Sequence, residues 1–304
     1  MALDLLTIGE AFEDVIFAGL SRLPRLGEEL RVSALTRHPG GGAVLTAIAA
    51  ARLGASVGTI SAVNSQNAAS LRAEGISLVN LLRAGERGAV TVALSTTNDR
   101  AFVTFQGVNE RLEARLLVAT SRLRRIPRHV HFALSPATCR AWIPVVARLR
   151  ARGATTSWDF GWNDQLRRDA AFATLLGTVD WIFVNEDEAT LYARARTLGA
   201  ALKRWRTLAR GTVVKLGARG AVVITSTTSV RKAASRVKVV DTTGAGDAFN
   251  GGFLTALLAG ASLDNAVRLG NHLGAQSTRM AGGVDGLPQR RDLPLWARRI
   301  VETP

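Results

Sequence analysis

The strongest constraint on the fold is a regular alternation in the second half of the chain. Segments of helical period at Glu110–Arg124, Ala141–Arg152, Gln165–Leu176 and Glu186–Leu198 alternate with short apolar runs. Those runs are His129–Leu134, Thr155–Phe160, Trp181–Val184 and Gly211–Lys215. Successive strands joined by helices and short links run parallel, because the helix carries the chain back to the starting edge. The expected class is therefore α/β, a mostly parallel central sheet with helices on both faces. The first half begins the same way, with strands at Leu3–Gly9, Ser56–Val63 and Ser77–Leu82 around helices at Ala43–Leu53 and Gln66–Glu74. The rest reads as a helical Leu202–Leu208, a hairpin at Gly220–Arg231, a strand at Val237–Val240 and helices near Leu263–Met280 and Leu293–Val301. Two β-only stretches, residues 15–37 and 88–106, break the rhythm. The second is a hairpin, Val90–Ser95 and Ala101–Phe105, about the polar tip Thr96–Arg100. They are expected to form a separate small sheet over one edge.

The chemistry concentrates in Asp241-Thr242-Thr243-Gly244-Ala245-Gly246-Asp247-Ala248-Phe249, which leads into the apolar helix around Phe253–Leu258. Gly244 and Gly246 let the backbone approach a ligand. The next N–H groups are the unpaired donors of a helix N-terminus, which favours a phosphate or a developing anion. Asp247 lies in that turn, where a carboxylate would repel phosphate but suits a base taking a proton from a hydroxyl. The turn lacks the Gly-Lys-Ser/Thr ending of a Walker loop and the third glycine of a dinucleotide fingerprint.

This string resembles the C-terminal signature of the ribokinase-like (PfkB) carbohydrate kinases. The resemblance implies that Asp247 is the catalytic base, with Gly244, Ala245 and Gly246 forming the anion-binding turn. Gly40-Gly41-Gly42 with the helix ending at Leu53-Gly54 is similar to the family's N-terminal signature, which implies a sugar packed on Gly41 and Gly42. Asp14 matches an Asp that binds sugar hydroxyls. Leu45 departs from the pattern, since the family has an Asn there that contacts substrate. Asn185 and Glu188 match an Asn-x-x-Glu motif that organises Mg²⁺, usually through water, and the phosphates, so Asn185 also counts on the nucleotide side. Lys215, Gly217 and Gly220 resemble the nucleotide-side loop, and Asn271 and Ala275 fall where an adenine pocket wall is implied. Asp241 and Thr243 match residues that bind a monovalent cation such as K⁺ in some relatives. The implied cofactors are ATP and Mg²⁺. The implied architecture is one domain, residues 1–304, with a lid from roughly 12–38 and 88–106 that can also pair two copies into a homodimer.

Other motifs lead nowhere further. His-Pro-Gly-Gly-Gly at 38–42 is similar to a lipase oxyanion loop, but no Gly-x-Ser-x-Gly elbow accompanies it. Asp159-Phe160-Gly161 spells a protein-kinase magnesium motif without its His-Arg-Asp loop, although its place in the order matches a family Asp near the substrate. Trp158 and Trp162 read as packing residues. The four histidines have no metal-ligand spacing. A net charge of +15 raises the question of nucleic acid, but the arginines are spread along the chain, without aromatic interleaving. No apolar run approaches the ~20 residues that span a bilayer. The single cysteine, Cys139, and a start without a basic leader lead to the expectation of a reducing, cytoplasmic setting. The reading is an ATP-dependent kinase acting on a sugar hydroxyl. The alternatives are a nucleoside kinase of the same family and a sensor on the kinase fold without turnover, which Leu45 and the missing Gly-x-Asp loop after Val63 favour.

Overall fold

The computed structural model describes residues 3–96 and 100–302. The chain opens with β1 (Leu5–Gly9), passes into β2 (Phe12–Leu20) and β3 (Ala34–Gly40), and returns through α1 (Gly42–Arg52), β4 (Val57–Ser61), α2 (Ser65–Ala73) and β5 (Ser77–Asn80). The hairpin β6 (Val90–Thr96) and β7 (Arg100–Phe105) comes next; its tip, residues 97–99, lies outside the described residues. The alternation then runs α3 (Leu112–Ser121), β8 (His129–Ala133), α4 (Cys139–Ala151), β9 (Thr155–Asp159), α5 (Phe172–Thr178), β10 (Trp181–Asn185), α6 (Glu186–Tyr192), α7 (Leu198–Leu208) and β11 (Gly211–Lys215). An edge hairpin, β12 (Ala221–Thr225) and β13 (Ser229–Lys232), precedes α8 (Ala245–Leu258), α9 (Leu263–Ser277) and α10 (Leu295–Val301).

Among the described residues nine strands form one sheet in the order β13-β12-β11-β10-β9-β8-β1-β4-β5, parallel except for the β11-β12-β13 edge. Side chains alternate across it. Leu6, Ile8, Ile182, Val184 and Val214 join the core under α3–α7, while Leu5, Phe183 and Val213 join the core under α1, α2 and α8–α10. A buried polar stripe crosses the sheet: Thr7 bonds Thr59 at 2.9 Å, and Ser157 Oγ lies 2.7 Å from both His129 Nε2 and His131 Nδ1. Burial lowers His129 to about 3, helped by His131, and His131 to about 4, so both rings are neutral. Among the described residues no group of His, Cys, Asp or Glu could hold a metal by itself. No helix there is long and apolar enough to cross a membrane.

The two β-only stretches pair as expected into a second sheet, β3-β2-β6-β7. Its register places His38, Asp14, Thr91 and Thr104 in one row, on the face that also carries Ile16 and Phe102. The opposite face carries Leu35, Phe17 and Leu94, then Val15, Val92 and Val103, then Phe105.

Several local expectations fail. Val237–Val240 forms no strand: Val239 and Val240 are exposed, and the Val240 N–H donates to Thr278 O at 2.7 Å instead of to a strand. Its β-branched residues suit a strand, but it lies against no sheet edge. The helix expected over Glu186–Leu198 stops at Tyr192, because Arg194 adopts a φ of 49° and α7 starts afresh from the Thr197 cap. Gln165–Leu176 splits into a single 3₁₀ turn and α5. His38-Pro39-Gly40, expected as loop, completes β3. Trp158 is core, whereas Trp162 is 61% exposed and is not a packing residue.

Helix α8 is wedged between α1 and α9, and residues Ala248–Ala256 are all buried. A Cβ on Gly251 would stand 2.6 Å from Ala49 Cβ, so the glycine permits the α1–α8 crossing. Gly251→Val is therefore expected to destabilise by about 1–3 kcal/mol or more through overpacking. Gly199, in α7 with open space around it, is the control, and Gly199→Ala should stabilise by about 0.5 kcal/mol. Urea unfolding midpoints of the two variants check both signs.

Candidate active site

The carboxyl ends of β1, β9, β10 and β11 converge on the first turn of α8, where an open α/β sheet binds ligands. Gly244, the N-cap of α8, has a φ of 70°, which glycine adopts without strain. Leu45 packs beneath it, with Cδ1 only 2.7 Å from where a Gly244 Cβ would be. Leu45 is thus buried in the support of the turn and presents no polar group to a substrate. Asp241 clamps the turn. Its Oδ1 accepts from Thr243 N at 2.8 Å and Thr243 Oγ1 at 2.7 Å, and its Oδ2 from Gly282 N at 3.0 Å. Thr46 Oγ1 donates to Asp247 O at 3.3 Å and ties α1 to the same turn.

Asp247 faces two compartments. On one side a Cβ at Gly42 would lie 3.1 Å from its Oδ1, so the glycine leaves space in front of the carboxylate. Asp14 sits on this side, its carboxyl packed within 2.5 Å of the position of a Gly40 Cβ. On the other side is a cavity of about 800 Å³ whose lining includes Asn185, Glu188, Lys215, Gly217, Gly220, Ala245, Gly246, Asn271 and Ala275. The structure thus brings all six proposed nucleotide-side residues onto one cavity. Asn271 also fixes the wall, donating to Lys232 O and Ala233 O at 3.1 and 3.2 Å.

Two further residues belong here. Asp159, at the end of β9, accepts from Lys215 Nζ at 2.7 Å and Asn250 Nδ2 at 2.8 Å. The Asp159 motif was visible in the sequence. Asn250 carried no signal beyond its place one turn after Asp247. Burial alone would raise the Asp159 pKa, but the Lys215 cation holds it below the ordinary value. Lys215 is likewise held above its ordinary value, against burial, by Asp159 and then Asp247. Burial first, then the charge of Asp159, pushes Asp247 up to about 7, while Lys215 opposes the rise. Burial and Asp241 push Asp14 up to about 6.

Asn185 caps α6, accepting from Glu188 N at 2.8 Å, while its own N–H donates to Glu188 Oε2 at 2.8 Å. Of the three acidic residues in the first turn of α6, Glu186, Asp187 and Glu188, Glu188 lines the cavity. With no multi-ligand cluster among the described residues, the Asn185–Glu188 pair fits a magnesium ion that keeps most of its waters.

A family model for pfkB family carbohydrate kinases matches residues 2–290. The chain belongs to this family. A ribokinase from Haemophilus influenzae is 28% identical over 272 residues, covering 83% of this chain and 85% of the relative. A 2-dehydro-3-deoxygluconokinase from Bacillus subtilis is 36% identical over 166 residues, about half of each chain (52% and 51%). The fold matches a putative ribokinase II from E. coli solved in complex with ATP and Mg²⁺, with a TM-score of 0.77, 22% identity and coverage of 98% and 99%. The protein is thus a carbohydrate kinase of the pfkB family.

A carboxyl with a pKa near 7 has a definite pH profile. Only the carboxylate form of Asp247 can accept a proton, so a rate that depends on it as base should rise at least about tenfold per pH unit below 7, more steeply where Asp14 and Glu188 also titrate, and level off above it. Initial rates between pH 5.5 and 8.5 check this.

Proposed function

We propose that this kinase transfers the γ-phosphoryl group of Mg-ATP to a primary alcohol of a sugar, with Asp247 as general base. The observation that carries this reading is the position of Asp247 in the first turn of α8, between the cavity and the space over Gly42. Asp247 takes the hydroxyl proton. The substrate oxygen forms its bond to phosphorus as the bond from phosphorus to the bridging oxygen breaks, and that oxygen leaves with the electron pair as part of ADP. The N–H groups of the Gly244–Asp247 turn stabilise the charge on the phosphoryl oxygens. Asp14 accepts hydrogen bonds from the sugar, since one carboxylate can serve two neighbouring hydroxyls. Asn185 and Glu188 would hold hydrated Mg²⁺, which when bound neutralises phosphate charge.

The second sheet acts as a lid over the acceptor. Phe102 is half exposed on the face shared with Asp14, which favours a nucleoside, its base stacked there, as the second acceptor reading. The opposite face exposes Leu35, Val103 and Phe105, which supports pairing of two copies through the lid. Light scattering that returned only the 32.3 kDa mass would end that part of the reading.

The decisive assay is ADP release from Mg-ATP across pentoses, hexoses and nucleosides. Turnover on at least one acceptor is expected, with Asp247→Asn slower by about 10²–10⁴-fold. Near-normal turnover by that variant would refute the base assignment.

A further inference from the structure

Lys215 is a costly residue to place at the end of a buried strand. Its side chain is only 15% exposed, and a desolvated ammonium is tolerated only when paired. Asp159 is the pairing group at 2.7 Å, and Asn250 Oδ1 lies 3.4 Å from the same Nζ. Asn250 in turn donates to Asp159 Oδ2 at 2.8 Å. The ammonium is therefore fixed from the sheet through Asp159 and from α8 through Asn250.

Replacing a buried ion pair by apolar residues is often neutral or stabilising, so stability alone does not account for this cation. Its location does. A Cβ on Gly246 would stand 3.0 Å from Nζ, which places the ammonium against the backbone of the anion-binding turn. Lys215, Gly246 and Asp247 also line the same cavity. An ammonium has three protons to donate, and Asp159 and the distant Asn250 oxygen occupy two at most.

We propose that Lys215 is a catalytic residue whose ammonium contacts the γ-phosphoryl oxygens held on the Gly244–Asp247 turn, with Asp159 and Asn250 as the positioning residues that aim it. The inference rests on the kinase reading above. Lys215 keeps its proton throughout and forms no covalent bond; it supplies positive charge where the phosphoryl group is in flight. The ion pair with Asp159 keeps that proton in place.

The test compares two nucleotides and needs no acceptor. Mg-ADP and the Mg²⁺ complex of β,γ-imido-ATP are titrated calorimetrically into wild type, Lys215→Met and Lys215→Arg. A charge-assisted hydrogen bond contributes about 1.5–3 kcal/mol, so Lys215→Met should weaken the imido analogue at least about tenfold. ADP, which has no γ-phosphate, should change less than about threefold, and Lys215→Arg should recover part of the loss. Asp159→Asn should show the same selectivity in smaller measure. The double variant Lys215→Met with Asp159→Asn removes the stranded buried carboxylate and serves if the single variant fails to fold. Equal weakening of both nucleotides, or no weakening, overturns the proposal. A wild-type protein that binds neither nucleotide overturns the kinase reading and this inference with it.

Discussion

A carboxylate set between two compartments, its pKa pulled in opposite directions by the charges of Asp159 and Lys215, is the constraint on which this site depends. Asp247 sits in the first turn of α8, where burial and the charge of Asp159 raise its pKa to about 7. At the ordinary carboxylate value it would be a weak base near neutrality. Without the opposing Lys215 charge it would hold its proton further into the working range. Asp159 raises this carboxyl and Lys215 lowers it, so the ion pair opposes itself at Asp247.

The fold serves that balance through close approaches. α8 reaches the strand ends because Gly251 lets it cross α1 against Ala49. Thr46 on α1 then bonds the Asp247 carbonyl, and Leu45 on the same helix fills the space under Gly244. Asp241 fastens the preceding loop through Thr243 and Gly282. The two apolar cores on either side of the sheet hold these elements, and the polar groups of the site occupy the rim where the strands end. The second sheet brings Asp14 to the other flank, and burial raises that carboxyl too.

The sequence revealed those parts of the site that are local. The glycine turn with Asp247, the Asn185–Glu188 cap and the alternation that builds the sheet each lie within a few residues or one regular period. The long-range parts were not legible. Asp159 lies 56 positions from Lys215 and 91 from Asn250, so their shared bonds appear only once the chain is folded. Leu45 read as a lost substrate contact, and the structure shows it packed beneath a glycine from the far end of the chain. Val237–Val240 carried strand propensity but met no edge, and propensity without a partner strand yields irregular chain. Trp162 read as a packing residue, yet it follows Gly161, whose φ of 65° turns the chain at the surface.

The most direct measurement is the titration of the aspartate carboxyl carbons by carbon-13 NMR, in wild type and in Asp247→Asn. The wild type should show one aspartate resonance with an apparent pKa near 7, absent from the variant. A wild-type spectrum in which every aspartate carboxyl finishes titrating below about 5, as solvated carboxylates do, would contradict that value.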